Sequence, residues 1–214
     1  FEIAFEDDYL LIINKPASLV VHPGAGNSDG TLLNGLLYHD ESLNELPRGG
    51  IIHRLDKGTS GLLLVAKTIQ SYTALVRSLA NREIVREYLA ICNGPIIASG
   101  SISAPIGRHA NNRIKMSVRK DGKPSKTHYK VLTCFREHTY LQIKLETGRT
   151  HQIRVHFSDR RNPLVGDFTY GGRPRFPIGA SKELQTLIQS FDRPALHAKR
   201  LELNHPETKR ILNI

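Results

Sequence analysis

Residues 52–66 read IHRLDKGTSGLLLVA, and this stretch decides how the rest of the chain is interpreted. Its second half, Gly61–Ala66, is a continuous apolar run bounded by turn residues, which is typical of a strand buried on both faces. Its first half is the densest polar cluster of the chain, where Arg54 and Lys57 flank Asp56 and favour its charged form. These residues alone leave two interpretations open: a held, reactive carboxylate, or a turn residue in a structural salt bridge.

Around this stretch, predicted strands outnumber predicted helices, and most of them are joined by short turns. Leu141, Ile143 and Leu145 alternate with polar residues, as in a strand with one buried face. Strand–helix alternation is not sustained, so we expect an α+β fold with a large mixed, mainly antiparallel sheet and not a doubly wound parallel sheet. Strands are predicted at 2–14 (two, around an acidic turn), 61–67, 87–93, 113–118, 125–134, 139–146, 195–204 and 209–214. Helices are predicted at 31–38, 69–79 and 181–191, a loop at 160–179, and a helix capped by Thr150, or a strand, up to about residue 157.

The composition points to a polyanionic partner. The 214 residues carry a formal net charge of +10, from 30 Lys and Arg against 20 Asp and Glu. This excess favours RNA or DNA over an anionic membrane, although a basic but ordinary soluble protein stays open. The length fits one domain, and we expect residues 1–214 to form it.

The spacing of the cysteines and the length of the apolar runs indicate the cellular compartment in which we expect the protein. Cys92 and Cys134 are far apart, match no metal-ligand spacing and are expected to be small apolar residues in strands. A reducing cytoplasmic setting follows most simply. No apolar run approaches the roughly 20 residues of a membrane span, so we expect no membrane partner. A monomer is the default expectation, because no exposed apolar stripe is evident.

Further motif segments surround the central stretch in a characteristic order. Together with His53–Leu64 they resemble, over essentially the whole chain, the RluA-type pseudouridine synthases. The resemblance implies that family's fold, with the mainly antiparallel sheet flanked by helices and loops and an active-site cleft across it. The segments are Asn14–Pro16 with Val21–Gly24, Arg82–Tyr88, Glu146–His156, Leu164–Asp167 (preceded by Asn162-Pro163 in place of His-Pro) and Ala195–Ala198.

The resemblance implies isomerisation of uridine to pseudouridine in large-subunit ribosomal RNA, in the stem-loop called helix 69, with no cofactor. Asp56 matches the catalytic carboxylate. One carboxylate suffices when the base is detached from the ribose at N1 and reattached at C5, whereas glycoside hydrolysis typically uses two and an activated water. The sequence leaves open whether Asp56 attacks the sugar C1′, attacks the base C6 or removes the C2′ proton.

Two further residues match catalytic positions of the family. Tyr88 matches the active-site tyrosine, whose ring can stack on a flipped uracil and whose hydroxyl can assist proton transfer. Without the motif it would be an ordinary core tyrosine. Arg154 matches the arginine that pairs with the catalytic carboxylate, and its place between Ile153 and Val155 suggests partial burial.

Five residues are implied to bind substrate. Arg54 matches an arginine that enters the helix stack where the uridine leaves, which suits a planar guanidinium. Arg149 is expected to bind phosphate or neighbouring backbone, and Leu196 to lie under the base. His53 and Thr59 belong to the Asp56 motif, and the Thr59 hydroxyl can donate to the carboxylate or shape the turn.

The remaining polar residues favour RNA contact over metal binding. His151 and His156 are five residues apart, which places them on different faces of a helix or a strand, so we expect no metal site. Two basic groups are expected to follow the RNA backbone, although a solvated basic face must account for some members. They are Arg108, His109, Arg113, Lys115, Arg119, Lys120 and Lys123, and then Arg160, Arg161, Arg173 and Arg175.

Three alternatives stay open beside this hypothesis. The substrate uridines could lie elsewhere in ribosomal or transfer RNA. The chain could be a non-catalytic RNA-binding protein on the same scaffold, or an N-glycosylase that releases uracil. We expect the chain to be a catalytic core without the S4-like N-terminal RNA-binding domain that related enzymes often carry.

Overall fold

The computed structural model describes residues 1–24, 26–112 and 114–214. These residues form two compact units, and each of them combines strands with helices. The first unit comprises residues 1–86 and 198–214, and the second comprises residues 87–197. The described part of the chain includes no helix long and apolar enough to cross a bilayer.

The first unit is built on strands in the order β1-β2-β3-β10, with β11 added beside β10. The pairings of β1 with β2, β2 with β3 and β10 with β11 are antiparallel. The predicted buried strand is β3, since six of its seven residues, from Gly61 to Ala66, are buried. The strands are β1 (Glu2–Glu6), β2 (Leu10–Lys15), β3 (Ser60–Ala66), β10 (Leu196–Asn204, from Ala198 onward in this unit) and β11 (Ile211–Asn213).

Two helices accompany these strands, both starting where the sequence predicts. α1 (Leu32–His39) begins after Thr31, whose backbone N–H donates to the Asn34 side chain at 3.0 Å. α2 (Ile69–Ala80) begins after Thr68, whose Oγ accepts the Ser71 N–H at 3.1 Å and so satisfies one end-of-helix donor. The α2 residues Tyr72, Leu75 and Leu79 pack on the core cluster formed by β2, β3 and β10. Short 3₁₀ helices at Glu41–Glu45 and Pro47–Gly50 complete the unit.

Gly61 fixes the close approach of β3 to β10. Its φ of +108° lies in the region that favours glycine, and a Cβ at this position would lie 2.2 Å from the Ala198 carbonyl oxygen. A larger residue would therefore separate the two strands directly after the polar cluster.

The second unit contains the longer antiparallel strands. Their order is β4-β9-β8-β5, and the register places Tyr88 opposite Ile143. A separate hairpin pairs β6 with β7. The elements are β4 (Val85–Asn93, from Glu87 onward in this unit), β5 (Gly100–Ser103), β6 (Ile106–Arg108), β7 (Met116–Val118), β8 (Lys126–Cys134), β9 (His138–Leu145), α3 (Gln152–Asp159), α4 (Phe168–Gly171) and α5 (Lys182–Ser190). The α+β class and the mainly antiparallel pairing are confirmed.

Several local predictions are wrong. The cap of α3 is His151 in a left-handed conformation (φ 56°), not Thr150, and the strand alternative for this segment is excluded. The predicted loop 160–179 contains the short helix α4, and β5 and β6 were not predicted. The predicted strand 113–118 is shortened to Met116–Val118, and Arg113 lies outside the described residues. Cys92 is fully buried as expected, and burial raises the pKa of its thiol to about 11, but Cys134 is exposed.

Candidate active site

Asp56 lies in a loop of residues 52–59, here called the Asp56 loop, that leads directly into β3. The carboxylate-bearing residue is half-buried, and its own carbonyl accepts the Thr59 N–H at 3.0 Å, which closes a tight turn. Ser18 donates its N–H to the Lys57 carbonyl at 2.8 Å. The backbone on the C-terminal side of Asp56 is therefore held by main-chain hydrogen bonds.

A buried lysine adds to this hold. The side chain of Lys15 is fully buried, and its ammonium donates to the carbonyls of Pro16 (2.8 Å), Leu19 (3.0 Å) and Lys57 (3.4 Å). The ammonium thus links the end of β2 to the Asp56 loop. The sequence places Lys15 at the end of a strand and in the motif segment Asn14–Pro16 without predicting this contact, although a lysine at the end of an apolar strand is a usable signal.

His53 is a neutral, buried member of the loop. Its Nε2 accepts the Leu64 N–H at 3.2 Å, so the ring proton is on Nδ1. Nδ1 has no hydrogen-bond partner in the part of the chain that the structure describes. Burial, together with the positive charges of Arg86 and Arg48, lowers the pKa of His53 to about 3, while the nearby Arg54 backbone opposes the shift. The imidazole is therefore uncharged at neutral pH.

The other two predicted binding residues of the loop differ in exposure. Arg54 is exposed, as its predicted contact with an RNA helix requires. Thr59 is only 2% exposed, and its hydroxyl oxygen has no hydrogen-bond partner within the described ranges. The Thr59 hydroxyl therefore does not donate to Asp56, and the residue shapes the turn through its backbone N–H instead.

In the second unit, Tyr88 lies on the buried face of β4. It is 5% exposed and shares this face with Ala90 and Cys92, as the period of a strand requires. Leu196, predicted to lie under the base, is also 5% exposed. Arg149 is exposed, its Nε lies 3.4 Å from the Pro124 carbonyl, and its backbone N–H donates to the Gln152 side chain at 3.0 Å.

Arg154 is held by a carboxylate that the sequence analysis did not assign to it. Its Nε and Nη2 donate to the two oxygens of Asp167 at 2.7 and 2.8 Å, a bidentate pair in which both side chains are at most 9% exposed. The guanidinium also lies over the ring of Tyr170, 5.0 Å from its centroid. A guanidinium has five N–H donors, so this pair occupies only part of its capacity. The burial predicted for Arg154 is confirmed, and its pairing with Asp56 stays a prediction.

Tyr170 connects the Arg154–Asp167 ion pair to His151 and to the backbone of Met116. Its hydroxyl oxygen lies 2.7 Å from His151 Nδ1 and accepts the Met116 N–H at 2.9 Å. Asp167 also caps α4 by accepting the Tyr170 N–H at 3.3 Å. The signal that sequence reasoning missed was the spacing of Asp167 and Tyr170 within one motif. The residues Arg154, Asp167, Tyr170 and His151 are here called the Arg154 network.

The histidines near α3 form hydrogen bonds with the protein. His156 is buried between the Thr127 hydroxyl and the Ala104 carbonyl, each 2.9 Å from a ring nitrogen, and burial lowers its pKa. His151 bonds to Tyr170. Among the described residues, no three His, Cys, Asp or Glu side chains converge as metal ligands would.

The two predicted basic groups are only partly available for RNA. Arg108, Lys120 and Lys123 are exposed near the β6–β7 hairpin. Arg119, in contrast, forms an ion pair with Asp121 at 2.8 Å, which neutralises its charge locally. In the second group, Arg160 lies over the Tyr129 ring at 5.3 Å.

Known proteins are similar in sequence to the chain. A family model described as RNA pseudouridylate synthase matches residues 9–159, which include Asp56, Tyr88 and Arg154. The chain is 56% identical over 207 residues to ribosomal large subunit pseudouridine synthase D of Vibrio parahaemolyticus and 54% identical over 205 residues to the protein of that name from Escherichia coli. These alignments cover 97% and 96% of this chain but 64% and 63% of the relatives, so the chain spans just under two thirds of their length.

Solved structures agree with the fold. Human RNA pseudouridylate synthase domain containing 1 aligns with a TM-score of 0.73 at 27% identity, over 100% of this chain and 81% of the other. Human RNA pseudouridylate synthase domain containing 4 aligns with a TM-score of 0.77 at 25% identity, over 99% and 86%. The match to the family model covers well over half of the chain, and the resemblance noted in the sequence is thereby confirmed: the chain belongs to the RNA pseudouridylate synthase family.

Proposed function

We propose that the chain isomerises uridine to pseudouridine in large-subunit ribosomal RNA, with Asp56 as the catalytic carboxylate. The observation that carries the proposal is the high identity to the synthase D relatives across nearly the whole of this chain. The net charge of +10 supports a polyanionic substrate. The finer assignment, to uridines of the helix 69 stem-loop, rests only on the family resemblance of the sequence motifs.

The proposed reaction is balanced without an added reagent. The bond between uracil N1 and the ribose C1′ breaks, the base turns, and a bond forms between C5 and C1′. The hydrogen on C5 leaves as a proton, and N1 takes up a proton. No electrons are gained or lost, so side chains that hold charge and move protons are sufficient.

The setting of each residue supports its proposed role. Asp56 is half-buried on a loop held by backbone bonds, which suits a carboxylate that must meet a substrate at a defined position. The buried ring of Tyr88 offers a flat apolar face for the flipped uracil, and Leu196 offers an aliphatic one. Arg154 supplies a pre-oriented positive charge to the proposed reaction, since Asp167 and Tyr170 already fix its plane.

RNA binding is assigned to exposed cations and to the Asp56 loop. The exposed guanidinium of Arg54 enters the helix stack vacated by the uridine, which offsets part of the few kcal/mol that base extrusion costs. Arg149 binds a phosphate. The uncharged His53 and the buried Thr59 hydroxyl offer hydrogen bonds to substrate groups, because each has a polar atom without a protein partner within the described ranges.

The test uses large-subunit ribosomal RNA transcribed with uridine tritiated at C5. We expect the parent chain to release tritium without free uracil, and Asp56→Asn to release none while still binding RNA. The matched control is Asp8→Asn, an exposed carboxylate in the turn between β1 and β2, which should leave the rate unchanged.

The outcomes separate the proposed function from its alternatives. Tritium release in helix 69, mapped by the altered chemical reactivity of pseudouridine, supports the full proposal, and release elsewhere overturns the target assignment. Free uracil would identify an N-glycosylase. Tight RNA binding by a folded parent chain without tritium release would identify a binding protein and contradict the proposal.

A further inference from the structure

The tyrosine of α4 contacts three different parts of the second unit. Its hydroxyl accepts the N–H of Met116, the first residue of β7, and lies within hydrogen-bond distance of His151, the cap of α3. Its ring face lies under the Arg154 guanidinium at 5.0 Å. Tyr170 is thus in contact with the hairpin on one side and with Arg154 on the other.

The hairpin of residues 104–125 carries a cluster of basic side chains. Arg108, Lys120 and Lys123 are exposed on it, and Lys115 is half-exposed. Its own pairing is short, since β6 and β7 contribute three residues each. Main-chain hydrogen bonds between Ile106 and Lys123 and from Arg119 to Pro105 add to this pairing, and contacts from α3 and α4 connect the segment to neighbouring elements.

Contacts from α3 and α4 hold the two ends of this hairpin. His156 lies 2.9 Å from the Ala104 carbonyl at its start, and Tyr170 accepts from Met116 on its returning strand. Because Tyr170 belongs to the Arg154 network, its hydrogen bond with Met116 links the hairpin to that network. A shift of β7 therefore changes the environment of the tyrosine that supports the Arg154 guanidinium.

The backbone at His151 indicates that this contact is held under strain. His151 adopts φ 56° and ψ 20°, a left-handed conformation that is unfavourable for a residue with a Cβ atom. Its ring packs edge-on against Tyr170 with 5.6 Å between centroids. Such strain persists where surrounding contacts fix the geometry, and here they do so at the junction between α3 and Tyr170.

We propose that Tyr170 is a positioning residue that couples the docking of RNA on the basic hairpin to the alignment of the Arg154 guanidinium. The proposal rests on the proposed function, in which Arg154 belongs to the catalytic machinery. The hydroxyl provides the link to the hairpin, and the ring supports the arginine. Asp167 fixes the guanidinium plane from the other side, through two hydrogen bonds.

Two substitutions distinguish the role of the Tyr170 hydroxyl from the role of its ring. Tyr170→Phe keeps the ring under Arg154 and removes the hydrogen bonds to Met116 and His151. We expect it to raise KM for RNA roughly fivefold to tenfold, the range of one net hydrogen bond, with kcat changed less than about twofold. Tyr170→Leu removes both functions and should lower kcat as well, by a further factor of roughly five.

Tyr129→Phe is the matched control. Tyr129 lies in the same unit, with an arginine 5.3 Å above its ring and a neighbouring aromatic ring at 5.6 Å, but it belongs neither to the Arg154 network nor to the hairpin of residues 104–125. It should leave both kcat and KM unchanged. If Tyr170→Phe behaves like Tyr129→Phe, the proposal is overturned.

A double-mutant cycle provides the readout that a merely structural role would not move. Lys120→Ala weakens RNA docking on the hairpin, and its effect on KM should be clearly smaller in the Tyr170→Phe background than in the parent chain. Strictly additive effects would contradict the coupling. The parent chain and Asp56→Asn are assayed beside these variants, so an inactive parent overturns the proposed function and not this inference.

Hydrogen exchange tests the same contact without a kinetic assay. The Met116 amide should exchange slowly in the parent chain and at least tenfold faster in Tyr170→Phe, while amides of β9 keep their rates. Fast exchange at Met116 in the parent chain would show that the hydrogen bond is not maintained, and would overturn the proposal even if a variant fails to fold.

Discussion

The Asp56 loop and the Arg154 network each present a charged side chain, and they hold it in different ways. Asp56 is placed by its backbone: a tight turn at Thr59, a buried ammonium from Lys15 and the close strand contact at Gly61. Arg154 is placed by its side chain, through two bonds to Asp167 and a stacked ring.

The two regions also differ in how far their polar atoms are satisfied. In the Asp56 loop, Nδ1 of His53 and the Thr59 hydroxyl have no hydrogen-bond partner in the described part of the chain. In the Arg154 network, both carboxylate oxygens of Asp167 accept from Arg154. A region with satisfied side chains gains stability from them, whereas unsatisfied buried groups cost stability and remain available to a substrate. The comparison predicts opposite responses to substitution.

The largest effect is expected from removing the carboxylate of the Arg154 network. Asp167→Ala leaves a buried guanidinium without its bidentate partner, and should lower the free energy of unfolding by about 3–5 kcal/mol. Urea unfolding measures the change. Asp121→Ala, which breaks the exposed pair with Arg119, is the control and should leave the midpoint unchanged. Equal effects of the two substitutions would remove the distinction between the regions.

The next effect tests whether the Asp56 loop is held by its backbone. Gly61→Ala adds a Cβ 2.2 Å from the Ala198 carbonyl at a φ of +108°, and should destabilise the chain by roughly 2–4 kcal/mol. Gly26→Ala is matched in conformation, with φ +78°, but its Cβ would meet nothing within 4 Å. It should cost only about 1 kcal/mol, and a similar cost at both glycines would contradict the close contact.

A pH titration tests the buried imidazole of the Asp56 loop. The pKa of His53 is about 3 in the folded chain, mainly because of burial, against an ordinary value of 6.5. The unfolded chain therefore binds the proton first, so this contribution to stability is present above pH 6.5 and is lost as the pH falls toward 3. His53→Gln should flatten the pH dependence of Tm between those limits, although it lowers Tm at neutral pH.

His109→Gln, at an exposed position, is measured beside it as the control for replacing a histidine by glutamine. His22 and His156, whose pKa values are also lowered by burial, keep part of the slope in every variant. An unchanged slope in His53→Gln would mean that the imidazole is solvated in the folded chain.

The smallest expected change in stability is a gain and not a loss. Thr59→Val removes a buried hydroxyl without a partner and keeps the shape, so stability should stay constant or rise by up to about 1 kcal/mol, while activity on RNA falls. Thr139→Val is the matched control: this buried hydroxyl accepts from Ile96 and donates to Gly94, and its loss should cost about 2 kcal/mol. A clear destabilisation by Thr59→Val would show that its hydroxyl has a partner.

The sequence correctly predicted the strands and helices that are marked by a pattern among neighbouring residues. The buried strand β3 follows from an apolar run between turn residues, α1 from Thr31 as a residue that can cap a helix, and α2 from the helical spacing of its apolar residues. The candidate catalytic residues came from motif resemblance and not from physics, since Asp56 alone fitted a turn equally well. The roles of Asp56, Tyr88 and Arg154 stay predictions until variants are assayed.

The failures share a physical cause. The elements β5, β6 and α4 are three or four residues long, too short for a period to show, and tertiary contacts decide them. The left-handed cap at His151 was hidden because glycine or asparagine is the usual residue there. Arg154 and its partner Asp167 are thirteen residues apart, joined by the rest of α3 and the loop 160–166, and no helical or strand period relates them.

The composition of the first unit has a consequence for synthesis on the ribosome. Residues 1–86 cannot complete their side of the sheet until residues 198–214 arrive, because β10 and β11 come last. At ordinary elongation rates, the 111 intervening residues (87–197) take roughly 5–20 s to emerge. Throughout this interval the Gly61 edge of β3 lacks the strand that covers it, so the nascent chain exposes an apolar strand edge next to its Asp56 loop. Holdase chaperones that bind such edges should therefore associate with nascent chains whose β10 is still inside the ribosome, and release them once residue 204 has emerged.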